Sequence, residues 1–93
     1  MKTDKFSFHI SVETSDQTGE ILAAYFQIRK GKVHLTREYA DGNVFADYDK
    51  QGRLLGIEML APCRASVLDR IAEQPSTKKF LRNAVPRGML VTA

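Results

Sequence analysis

Two alternating segments separated by four turn-forming residues leave this chain little freedom between Phe45 and Leu60. Val44, Ala46 and Tyr48 share one face of the first segment. Leu55, Ile57 and Met59 share one face of the second, with Leu54, Gly56, Glu58 and Leu60 on the other. Asp49-Lys50-Gln51-Gly52 lies between them. Aspartate bonds its own backbone downstream, and glycine reaches the positive φ that a bulged turn needs. The pattern predicts a β-hairpin. Gly56 weakens a strand unless something approaches it closely, so it predicts tight packing at that point.

Other strands precede this hairpin. Phe6, Phe8, Ile10 and Val12 alternate with Ser7, His9, Ser11 and Glu13, and Thr14 to Gly19 is dense in turn formers. A second strand is expected from about Leu22 to Arg29, where aromatic and β-branched residues prevail. Lys30-Gly31 turns into a third, Lys32 to Tyr39, and Asp41-Gly42 turns again into the fourth at Val44. Pro62 ends the sheet. Val67, Leu68, Ile71 and Ala72 then recur at helical spacing until Pro75. With Ser76 as its N-cap, a second helix carries Phe80, Leu81, Ala84 and Val85 on one stripe, and Pro86-Arg87-Gly88 breaks it. Met89-Leu90-Val91 is too short to place.

These elements predict one α+β domain over residues 1–93. Residues 1–60 form a five-stranded antiparallel meander, and residues 61–93 a helical segment packed on one face. The expected inward set is Phe6, Phe8, Ile10, Tyr25, Val33, Leu35, Tyr48, Leu55, Ile57, Leu68, Ile71, Phe80 and Leu81. Ninety-three residues do not house two cores. No apolar run is long enough to span a bilayer, and the alternation after Met1-Lys2-Thr3-Asp4-Lys5 is a strand pattern, not a signal peptide. Cys63 is the single cysteine, which suits a reducing cytoplasm.

The hairpin resembles the core of a family of small prokaryotic proteins, domain-of-unknown-function family 2283. Its matching residues are Asp47, Tyr48, Asp49, Gly52, Gly56, Ile57, Glu58, Met59 and Leu60. The small-residue step into Tyr25 resembles the family's N-terminal signature, although Leu22 stands where the family usually places an aspartate. The resemblance brings no assigned function. By analogy with small members of two-gene pairs, it implies an antitoxin-like role.

Residues able to carry chemistry are few. Asp41, Asp47, Asp49 and Glu58 lie on two adjacent hairpins and could divide acid and base roles or hold a cation. The bland reading is stronger: Asp41 and Asp49 sit where turns favour aspartate, and Asp47 and Glu58 alternate with apolar neighbours and so face water. His9 and His34 are read as exposed polar residues, because no zinc spacing joins them to each other or to Cys63. Cys63 near a helix start has no identifiable base and is read as a small connecting residue. Neither a phosphate loop nor a dinucleotide glycine fingerprint occurs. No catalytic, cofactor-binding or metal-binding residue is therefore assigned.

Function is left to three classes. The favoured one is a non-catalytic protein-interaction or self-association module. The second is weak nucleic-acid binding through the basic segment: residues 61–93 carry Arg64, Arg70, Lys78, Lys79, Arg82 and Arg87 against Asp69 and Glu73. That segment lacks stacking aromatics and a clear recognition helix, so nucleic acid is the weaker reading. The third is a small enzyme or ion-binding protein using Asp47, Asp49 and Glu58. The second strand is apolar on both sides, with Leu22, Ala24, Phe26 and Ile28 opposing Ile21, Ala23 and Tyr25. A homodimer is expected on that ground. The residues expected to make partner contacts are Phe26, Ile28, Lys78, Lys79 and Arg82.

Overall fold

A computed structural model describes residues 6–39, 42–61, 66–72 and 74–86. Five strands run His9–Thr14 (β1), Ile21–Gln27 (β2), Leu35–Tyr39 (β3), Val44–Tyr48 (β4) and Leu54–Leu60 (β5). The helices Ser66–Ile71 (α1) and Pro75–Ala84 (α2) follow. The architecture is the α+β one read from the sequence: an antiparallel meander sheet with C-terminal helices. Its spatial order is β1-β2-β5-β4-β3. Strands β3, β4 and β5 follow one another directly, and β5 then closes against β2, so the connection from β2 to β3 is not a hairpin.

Register decides which residues meet the helices. Ile10 pairs with Phe26 and Val12 with Ala24. Phe26 also pairs with Ile57 and Ala24 with Met59. Ile57 pairs with Ala46 and Met59 with Val44. Directly opposed residues share a face. One face therefore runs through Phe26, Ile57 and Ala46 and through Ala24, Met59 and Val44, and all six are buried. Val67, Leu68, Ile71, Ala72 and Leu81 pack on them from the helical layer.

The N-terminal aromatics tie that layer down. Phe8 stacks on Phe80 of α2 with ring centroids 4.6 Å apart, and Phe6 stacks on Phe8 at 5.1 Å. Phe80 meets Phe26 edge-on at 6.2 Å, a favoured aromatic geometry. Helix α2 opens with Pro75 in its first turn, where a missing N–H costs nothing, and its N-cap is Gln74 rather than the expected Ser76.

Several expectations are corrected here. Phe26 and Ile28, expected at a partner surface, are 0% and 1% exposed, because the helices and Phe80 cover that face of β2. Ile10, Val33 and Leu35, expected inside, are 38%, 49% and 47% exposed, because the helices do not reach the outer strands. Tyr25 points to the opposite face from Phe26 and is only half-buried. Strand β1 starts at His9 and not Phe6, and β3 at Leu35 and not Lys32. Pro62, Cys63, Asp41, Arg87 and Met89-Leu90-Val91 lie outside the described residues.

Phe26 and Leu35 should therefore respond in opposite ways to truncation. Phe26→Ala is expected to cost about 3–5 kcal/mol, through lost transfer energy and an unfilled cavity. Leu35→Ala should stay within about 0.5 kcal/mol. Urea unfolding followed by circular dichroism measures both.

Candidate functional site

The sheet face turned away from the helices carries a side-chain network that reaches from β2 to β3. Tyr25 of β2 stands opposite Glu58 of β5, and Asp47 of β4 stands opposite Gly56. Gly56 is the reason Tyr25 can reach so far. Its phenol lies across the glycine, where any Cβ would collide with the phenol oxygen. The expected close approach at Gly56 is thus made by a side chain. The hydroxyl donates to Asp47 Oδ2 at 3.3 Å, across the whole width of β5. From β3, Thr36 Oγ1 donates to Asp47 Oδ1 at 2.6 Å. One carboxylate so joins β2 to β3 over the two strands between them.

Electrostatics fix the state of the phenol. Burial, the Asp47 charge, the hydrogen bond to Asp47 and the Glu58 charge together push Tyr25 up to about 12. Each of these opposes a phenolate. At neutral pH Tyr25 keeps its proton and its hydroxyl donates to Asp47, which suits a positioning role and not proton abstraction. Asp47 and Glu58 act together on Tyr25, as their shared face requires.

Asp49 is not part of this group. Its Oδ1 accepts the backbone N–H groups of Gln51 and Arg53, each at 2.9 Å. Its Oδ2 accepts Arg53 Nε at 2.8 Å. Gly52 completes the turn at φ 80°, a region that favours glycine. Desolvation works against ionisation of Asp49, but the bonds from Arg53 and Gln51 and the Arg53 charge outweigh it and hold the carboxyl below its ordinary value. This carboxylate caps the β4–β5 turn.

The remaining sequence candidates do not assemble. His9 and His34 are exposed, as expected. Lys79 is exposed, Lys78 is partly covered, and Arg82 donates to Asp69 at 3.3 Å between the two helices. None of the three lies with Phe26 and Ile28, which are inside. Among the described residues no group of three or more His, Cys, Asp or Glu could hold a metal ion. No helix among them is long and apolar enough to cross a membrane. Sequence reasoning missed the Tyr25–Gly56–Asp47 arrangement. The available signal was an in-strand glycine together with a tyrosine free to cover it.

Comparison with known proteins adds one finding. The family model described as "Protein of unknown function (DUF2283)" matches residues 12–61, more than half of the chain, and that span takes in Tyr25, Asp47, Gly56 and Glu58. No curated protein and no solved structure matches significantly.

Two titrations test this geometry. Tyr25→Phe should remove the step near pH 12 from the phenolate absorbance titration, and Gly56→Ala should move that step down toward 10 by displacing the ring. Because the folded phenol holds its proton more tightly than the unfolded one, its contribution is complete below pH ~10 and is lost as pH rises toward 12. Asp49 behaves in the opposite sense. Its contribution is complete above the unfolded carboxyl value of about 3.9 and disappears as pH falls through the lower folded value. Asp49→Asn should therefore lower stability at pH 7 and flatten the acid limb of a melting-temperature profile. An unchanged acid limb would remove Asp49 from the argument.

Proposed function

We propose that this chain, which belongs to the DUF2283 family of proteins of unknown function, is a non-catalytic module that works by associating with protein surfaces, its own copy first. The observation that carries this reading is where the large apolar side chains remain exposed. Ile10 and Val12 lie on edge strand β1, and Leu35 on edge strand β3 with Val33 just before it. Leu22, 47% exposed, is skipped in the pairing between β1 and β2 and bulges from β2. Exposed aliphatics gathered at sheet margins favour contact surfaces over solvent.

The rival readings draw less support. A small enzyme would use Asp47, Asp49 and Glu58, yet Asp49 is engaged in its turn and Tyr25 beside Asp47 stays protonated. Nucleic-acid binding would use Lys78, Lys79 and Arg82, of which Arg82 is paired with Asp69. The sheet face opposite the helices bears Glu13, Glu38, Asp47 and Glu58, which would repel phosphate. We place the protein in a reducing cytoplasm, where its single Cys63 stays a thiol.

Sedimentation equilibrium tests the reading. The chain mass is 10.5 kDa, and a species of about twice that is expected at micromolar concentration. A mass that stays at one chain up to about 1 mM, weaker than specific complexes usually are, removes self-association.

A further inference from the structure

The two edges of this sheet are not equivalent, and the difference indicates which one meets a second copy. Natural edge strands are commonly protected by charged side chains, proline or bulges. Strand β3 follows that rule, with Arg37 and Glu38 at its centre and Lys30 and Lys32 just before it. Strand β1 does not. Its sequence is His-Ile-Ser-Val-Glu-Thr, it has β2 on one side only, and all six residues are exposed. Ile10 and Val12 lie on the helix side of the sheet, opposite Phe26 and Ala24, at 38% and 47% exposure.

We propose that β1 pairs antiparallel with β1 of a second copy, about a two-fold axis through Ser11 normal to the sheet. This deepens the association reading above and rests on it. An axis in that direction keeps both helical layers on the same side, so residues that share a face in one copy still share it in the pair. Centred on Ser11, it sets Ile10 against Val12 of the other copy and His9 against its Glu13, each twice by symmetry. Both aliphatics gain an apolar partner on the helix side, and the His9 imidazole meets the Glu13 carboxylate on the other side. Moving the axis to Val12 sets Ile10 against Thr14 and Ser11 against Glu13. Moving it to Ile10 sets His9 against Ser11. Within β1, only the Ser11 register gives both Ile10 and Val12 an aliphatic partner and also sets His9 against Glu13.

The same operation centred on any of the three inner residues of β3 fails. An axis through Arg37 opposes two arginines, and one through Glu38 opposes two glutamates, both destabilising when directly across. An axis through Thr36 sets Leu35 against Arg37. The β1 edge is thus self-complementary in sequence as well as open in space, and the result joins two five-stranded sheets edge to edge.

Sedimentation of the full-length chain and its variants tests this, with circular dichroism confirming the fold of each. Val12→Lys changes an exposed side chain and should give a folded monomer, whereas Leu35→Lys on the other edge should leave the dimer intact. His9→Glu should weaken association roughly tenfold by opposing like charges twice, and adding Glu13→Lys should restore it. A dimer that survives Val12→Lys overturns the β1 pairing while leaving self-association in place. A charge swap that fails to rescue His9→Glu overturns the Ser11 register. A wild-type chain that remains monomeric overturns both the pairing and the reading beneath it.

Discussion

A Cβ on Gly56 would occupy the space of the Tyr25 phenol, and that steric fact links the two halves of the sheet. Strand β5 joins the β1–β2 hairpin to the β3–β4 pair. On one side it presents Ile57 and Met59, both fully buried, to the helices. On the other it must let Tyr25 pass over it to Asp47, which Thr36 also holds. A larger residue at position 56 would leave the apolar face unchanged and disconnect the polar one. Asymmetry across a single strand gives the domain one face for packing and another for a hydrogen-bonded span.

That span looks like a catalytic constellation only if its protonation is ignored. Tyrosine near two carboxylates could suggest proton transfer, but negative neighbours and burial hold the proton on the phenol and make ionisation harder. Charge-assisted hydrogen bonds to a carboxylate are strong when short, as the Thr36 bond at 2.6 Å is, and the Tyr25 bond at 3.3 Å is the longer and weaker of the two. Across β5 it acts as a cross-tie between strands that share no ladder. The arrangement fixes β2 and β3 to the same carboxylate on either side of β5 and β4.

Local features were legible in the sequence because their causes are local. The turn at Asp49–Gly52 needs only a carboxylate aimed at its own backbone and a glycine at positive φ, and both are visible in four letters. Strand order was harder. Nothing within β5 says that its second neighbour is β2, since that pairing closes a long loop and is chosen by the fit of Phe26 on Ile57 and Tyr25 over Gly56. Alternation grouped Phe6, Phe8, Ile10 and Val12 correctly on one face, yet it could not say how far along that face the helices extend. Tyr25 was misplaced because β2 is apolar on both sides and period-two reasoning then has no preferred direction.

The extent of helical cover follows from size. Strands lie about 4.8 Å apart, so five of them span roughly 20–25 Å, while a helix with its side chains is about 10 Å across. Helices α1 and α2 have 6 and 10 residues, or roughly 9 and 15 Å of length. Such a layer seats over β2, β5 and β4, where Phe26, Ile57 and Ala46 are fully buried, and it ends before the margins. Ile10, Val12 and Leu35 keep the inward parity of a core position without the cover of one. The exposed aliphatics are a geometric remainder of a short helical segment on a five-stranded sheet. Of the two margins, β3 surrounds that remainder with charge, and β1 leaves Ile10 and Val12 between Ser11 and the terminal His9 and Glu13.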